Sequence, residues 1–372
     1  MTTQVDINAD VPPGPTVKIG ICMDFPILDV HRPFLDGIRL AFDEATASGI
    51  LDRPAQLIVK EAEGLPRGDA FDVTRAWQDL VDAGCVGIIG PMISDNALAV
   101  KQYMATTPQK VPTLTWAGTD EQYDEYLFGF GNGSLTEEPY LIAEGIADRG
   151  LKTIGLVFER AQCGYEYTEF FLDACRREGL EVVHTEAVGQ ADRDMTATVA
   201  NLMASKPDAV AYFGFGLPSL EMNAALAAVG WNPPRFMCTA FILCYLIPEY
   251  MRGLQGWIGA DQYDEENLVT QAMQSRFEER FGYRQENCVP TLAFDCGHVL
   301  ALGIGKAKVL TPLGVMEGLQ KVKALPAATG GVGTRISFGK WVRRAWHGVD
   351  FLVLREINED ATGTRLVGRF RR

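Results

Sequence analysis

Short apolar runs alternate with amphipathic stretches along most of the chain. Residues 17–23 (VKIGICM) form an apolar run of strand length. Residues 34–47 then place Phe34, Leu35, Ile38, Ala41 and Phe42 on one face of a 3.6-residue period, the signature of a half-buried helix. The alternation continues with a strand at 56–60, a helix at 69–83 carrying Phe71, Val73, Trp77, Leu80 and Val81, a strand at 86–89, a helix starting near Ala97 and a strand at 111–115. Strand–helix–strand connections predict a parallel sheet with right-handed crossovers. At 129–134 three glycines (Gly129, Gly131, Gly133) interrupt the pattern and suggest a crossing rather than a packed element. The pattern then restarts, with helices at 138–149, 165–178, 195–205 and 217–229 between strands at 153–158, 181–186, 208–214 and 235–239, and a further strand opening at 253–259. Two α/β halves of similar plan follow one another, without a repeated sequence motif. Three more amphipathic helices (267–281, 291–306, 312–322) cannot form a domain alone and are assigned back to the first half. Residues 323–372 read as a hairpin-like tail crossing between the halves.

The stretch 86–119 holds two loops at the ends of neighbouring predicted strands. Gly90-Pro91 stops the first strand, and Ser94, Asp95 or Asn96 can cap the helix that follows. The second strand ends in Trp116-Ala117-Gly118-Thr119. In open parallel sheets ligands bind beyond the carboxyl ends of the strands, so these two loops are the first candidate site.

Composition narrows the function classes. A chain of 372 residues fits two domains, and 47% hydrophobic with 22% charged residues fits a globular protein with a large core. A net charge of −14 argues against a general nucleic-acid surface, which needs a basic face. The terminal Arg369-Phe370-Arg371-Arg372 reads as a solvated tail. The first residues carry no basic region followed by an apolar one, which predicts a cytoplasmic protein if Met1 is the native start; the alternative is a periplasmic or extracytoplasmic one. No apolar run near the ~18 residues of a membrane span stands out. Eight cysteines with no CxxC pair read as reduced, mostly buried thiols, and four scattered histidines give no metal-ligand spacing. No GxGxxG follows the first strand, and no P-loop, GxSxG or HExxH occurs, so neither a cofactor nor enzymatic activity is expected. Asp24 and Asp29 read as loop carboxylates.

The order of elements and several strings together resemble the leucine/isoleucine/valine-binding branch of the type I periplasmic binding proteins. The strings are VKIGICMDFP, FLDGIRLAFDEATASGIL, VGIIGPMIS, VPTLTWAGT, LKTIGLVFERAQCGYEYTEFF, DAVAYFGFG and PTLAFDCGHVLALGI, spanning roughly residues 16–358. The resemblance implies an α/β protein of two Rossmann-like lobes joined by three crossovers, with the ligand held in the cleft between them and captured by hinge closure. The lobes would comprise 1–133 with 262–338, and 134–261 with 339–372. It implies a non-catalytic solute-binding protein serving ABC-type uptake through a permease, or a cytoplasmic sensor acting on a regulatory partner. The lobe-1 disulfide of some exported relatives has no match, because Ile93 and residues 61–65 carry no cysteine, which favours the sensor. The alternatives are an amino-acid-binding importer component and, in another class, an enzyme on a two-lobe fold.

Aligned on GPMIS and TWAGT, Ser94, Ala117 and Thr119 take the places of the family's ligand-carboxylate contacts. The second half departs from the pattern. Cys163 stands where an aromatic is common, with Tyr165 two residues on. Gly216 stands at another aromatic position, with Phe215 beside it. The acid that neutralises a ligand ammonium would fall in Thr239-Ala240-Phe241, where there is none. Burying an ammonium without an acceptor is costly, which argues against a standard α-amino acid. Phe25, Trp116, Phe215, Phe241 and Tyr245 remain around the expected cleft, with His31 in the first loop. They suggest a small aromatic or aliphatic ligand with one carboxylate, amide or carbonyl, and Trp116 is expected to face it from the turn.

Overall fold

The computed structural model describes residues 6–25, 31–346 and 350–370; the side chain of His31 lies outside the described residues. In chain order the elements are β1 (Val17–Met23), α1 (His31–Ala47), β2 (Ala55–Glu61), α2 (Ala70–Asp82), β3 (Gly87–Ile89), α3 (Ser94–Thr106), β4 (Thr113–Thr115) and β5 (Leu127–Gly129). There follow α4 (Glu138–Ala147), β6 (Thr153–Glu159), α5 (Gln162–Glu178), β7 (Glu181–Val188), α6 (Thr196–Ser205), β8 (Ala209–Phe213), α7 (Leu217–Ala228), β9 (Arg235–Met237), α8 (Pro248–Gly253) and β10 (Trp257–Asp261). The chain ends with α9 (Leu268–Phe281), α10 (Cys288–Gly305), α11 (Pro312–Leu319), β11 (Leu325–Pro326), β12 (Arg335–Ile336), β13 (Val353–Ile357) and β14 (Thr364–Arg369).

These elements form two compact units, Met1–Gly131 with Glu265–Trp346, and Asn132–Asp264 with His347–Arg372. The chain therefore passes three times from one unit to the other. In unit 1 the sheet order is β2-β1-β3-β4-β5, with every pair parallel. In unit 2 the parallel part of the sheet has the matching order β7-β6-β8-β9-β10, and the antiparallel strands β13 and β14 extend it beyond β10. Each unit thus has a topological switch point, between β1 and β3 in unit 1 and between β6 and β8 in unit 2.

The three late helices pack on unit 1, as their lack of an independent core requires. Leu40 and Ala41 of α1 join Met273 and Phe277 of α9 and Phe294 of α10 in one buried cluster. On the other face of the sheet, Val73, Trp77 and Leu80 of α2 close over Cys22, Ile88, Val100 and Leu127. Trp77 is fully buried, and its indole N–H donates to Thr113 Oγ1 at 3.0 Å, so its polar end carries no desolvation penalty.

Two sequence expectations are corrected. By length and composition α10 is apolar enough to cross a membrane, although no such run stood out in the sequence; 83% of it is buried inside the protein, as in a core helix. The terminal basic residues do not form only a solvated tail. Arg369 lies in β14 and makes a bidentate pair with the buried carboxylate of Asp264, at 2.9 and 3.0 Å. All eight cysteines are free and buried, in accord with the sequence reading.

Candidate functional site

In unit 1 the site is organised by Asp24, the residue after β1. It is completely buried, and its carboxylate accepts from the backbone N–H of Met92 (2.7 Å) and Ile93 (3.0 Å) and from Asn96 Nδ2 (2.8 Å). The carboxylate reaches across the β1–β3 switch point and fixes the turn that leads into α3. Burial pushes its carboxyl above the ordinary carboxylate range, against the lowering effect of these three hydrogen bonds. Asp24 is in a loop, as read from the sequence, but it is buried and holds a neighbouring turn. The capping expectation is corrected: α3 begins at Ser94 itself, the N-cap is Ile93, and that residue makes no side-chain cap bond. The turn requires glycine at position 90, where φ is +96° and a Cβ would stand 2.2 Å from the Cys22 carbonyl oxygen.

Ser94, the first residue of α3, is 8% exposed, and among the described residues its hydroxyl makes no hydrogen bond. The second loop follows β4. Thr119 is buried, and its hydroxyl accepts from the N–H of Glu121, capping the 3-10 turn Asp120–Gln122. The Ala117 carbonyl accepts from Gln122 Nε2 at 2.9 Å. Trp116 does not stand open in its turn, as expected. It is 4% exposed, its indole N–H points to Cys296 Sγ (3.1 Å) on α10, and its ring packs edge-on against Phe34 with centroids 4.7 Å apart. Its bulk is used within unit 1, because a strand-end side chain next to a covering helix gains more by packing on it than by facing solvent. Phe25 is largely buried under the Arg67 guanidinium, 5.7 Å from the ring centroid.

Unit 2 repeats the device with a different residue. Glu159, the last residue of β6, is fully buried. Oε2 accepts from the N–H of Phe215 (2.9 Å), and Oε1 from the N–H of Gly216 (2.6 Å) and the Tyr212 hydroxyl (2.7 Å). A carboxylate from the first strand again holds two consecutive amides beyond the third strand. Gly216 has φ +107°, and a Cβ there would stand 2.6 Å from that of Ala240, so the aromatic common in the family has no room at this position. Cys163 is buried in the first turn of α5. Tyr165 is 55% exposed, its ring 5.5 Å from that of Phe158. Phe241 is fully buried, with its Cβ so close to the Gly259 backbone that no side chain fits there. It packs as a core residue of unit 2.

A second buried acid lies nearby in unit 2. Glu138 Oε1 accepts from Ser134 N (2.5 Å) and the Tyr167 hydroxyl (3.0 Å), and Oε2 from Thr239 N (2.6 Å). Burial raises its carboxyl to about 7. Sequence reasoning passed over Glu138 and Glu159. The available signal was an acid placed directly at an element boundary, as in LVFE and TEEP.

The chain matches the family model described as "Periplasmic binding protein" over residues 16–351. A comparison with curated proteins finds no match. Among solved structures it is similar to a type 1 periplasmic binding protein from Bordetella pertussis, at 20% identity and a TM-score of 0.78, covering 95% of this chain and 100% of that one. It is also similar to the leucine-binding protein LivK from Thermotoga maritima, at 17% identity and a TM-score of 0.78, covering 95% and 98%. A third is an ABC-transporter solute-binding protein from R. palustris in complex with benzoate, at 16% identity and a TM-score of 0.74, covering 95% and 96%. The chain belongs to the periplasmic binding protein family, whose members bind solutes without transforming them, and it has the type I fold of these structural relatives.

Proposed function

We propose that this protein captures a small aromatic or aliphatic molecule by one carboxylate, amide or carbonyl group, and delivers it to an ABC permease. The observation that carries this reading is Ser94. Its hydroxyl stands at the start of a helix, nine-tenths of the residue is buried, and no described residue takes its hydrogen bond. A polar group so placed is costly unless a ligand or water completes it. Ala117 and Thr119 stand in the neighbouring loop, and we assign Phe25 and Trp116 to shaping unit 1 around the bound group. In unit 2, Tyr165, Phe215, Cys163 and Gly216 are the assigned residues, Tyr165 being the most accessible.

The relatives' ligands share an apolar body and a carboxylate, and benzoate, unlike isoleucine, has no ammonium. One similar structure, from Streptococcus pneumoniae, is in complex with isoleucine, and another is in complex with benzoate. The lack of an acid at 239–241 supports a ligand without an ammonium, because the nearby Glu138 and Glu159 already accept from their own chain. The cytoplasmic location expected from the N-terminus gains no support from the family. We place the protein outside the cytoplasm, and a cell fractionation finding it only in the cytosol would overturn that part.

The test is a thermal-shift screen of small acids, amides, carbonyl compounds and amino acids. The expected result is stabilisation by aromatic or aliphatic acids or amides, since a ligand of the folded state raises its stability. Ser94→Ala should lower the affinity about tenfold with the fold retained, the cost of one polar contact. Stabilisation by α-amino acids alone would show the reading of the polar end to be wrong.

A further inference from the structure

We infer that the polar end of the ligand is uncharged, an amide or carbonyl rather than a carboxylate, because the chain itself already supplies the anions at both switch points. This rests on the reading of the loops around Ser94 and Thr119 as ligand-binding.

An anion site at a strand end consists of consecutive backbone N–H groups, favoured by the positive end of a helix. In unit 1 two such groups stand in the turn immediately before Ser94. Met92 N–H and Ile93 N–H both point to the buried Asp24 carboxylate, which also takes the Asn96 amide. Among the described residues Asp24 has no ion pair, so no neighbouring cation cancels its charge. Ser94 is the very next residue. A ligand carboxylate bound at its hydroxyl would share this turn with the buried Asp24 carboxylate, and the two like charges would repel. In unit 2 the loop after β8 is filled in the same way, with Phe215 N–H and Gly216 N–H on the Glu159 carboxylate.

A neutral acceptor meets none of this repulsion. Its oxygen can accept a hydrogen bond from the Ser94 hydroxyl, and the N–H of a primary amide can in turn donate to a loop carbonyl.

The experiment is calorimetric titration of the full chain with matched sets of one shape and three charges: benzoate, benzamide and benzylamine, and isobutyrate, isobutyramide and isobutylamine. The amide is expected to bind about tenfold to a hundredfold more tightly than its acid, the scale of a like-charge contact at a few ångströms in a partly polar interior. The preference should persist at high salt. The diffuse field of a −14 protein is screened there, whereas a buried carboxylate is not. Asp24→Asn should narrow the amide-to-acid ratio; where that variant fails to fold, the wild-type ratio and its salt dependence decide. Equal or tighter binding of the acid overturns the inference and leaves the proposed function standing, whereas tightest binding of the amine overturns both. Binding of α-amino acids alone, or of no member of either set, overturns the proposed function itself.

Discussion

Phe241 and Tyr165 are both aromatics near strand ends of unit 2, and their surroundings separate them. Phe241 is fully buried against β10, while more than half of Tyr165 is exposed. Phe241→Ala should lower unfolding free energy by about 3–5 kcal/mol, the usual cost of a large-to-small change in a core. Tyr165→Ala should change it by less than about 0.5 kcal/mol and act on ligand affinity instead. Urea unfolding beside binding titrations reads both, and the reverse pattern would exchange their roles. The sequence marked Ser94, Thr119 and Gly216 through local strings and their order. It could not tell packed aromatics from open ones, because that depends on what covers them. Cys296, 180 residues from Trp116, decides where that indole points.

At the level of elements, the strand–helix rhythm was legible because it is set by residues two to four positions apart. The two carboxylate clamps were not, because Asp24 meets residues 68 and 69 positions away, and Glu159 residues 56 and 57 away. Elements held by buried acids give the protein a pH signature. Burial raises Glu138 at the start of α4 and Asp295 within α10 each to about 7. A raised folded-state value means that the stabilisation is fully present below the ordinary carboxylate range and is lost as pH rises through 7. Stability should therefore fall between about pH 4 and pH 7. Glu138→Gln and Asp295→Asn should each flatten part of that slope, whatever they do to the absolute stability. Denaturant midpoints at several pH values measure it. A slope unchanged in both variants would show that these acids ionise normally in the folded protein.

For the whole molecule, the order of the elements carried the fold, since each half must build its own parallel sheet and the late helices need a sheet to cover. The tail was only half legible. Strand β13 (Val353–Ile357) falls in the stretch read as a hairpin-like tail, but β14 is polar on its face and reads as a basic end. Its role appears only in its partners. Arg355, 1% exposed, donates from Nε to Thr364 Oγ1 and from Nη2 to the Thr364 carbonyl, both at 2.9 Å. Arg369 closes on the buried Asp264. Deleting residues 362 onward would strip these acceptors from a buried guanidinium and a bidentate partner from a buried carboxylate, and would bare the edge of β13. Losing one partner of a buried pair typically costs about 3–5 kcal/mol, and an uncovered edge invites pairing between chains. The truncated protein should therefore melt earlier and scatter more light on heating. Arg369→Ala in the full chain should reproduce the lower melting without the scattering, because β14 still covers the edge. If the truncated chain melts like the intact one, the terminal strand is not part of what holds unit 2 together.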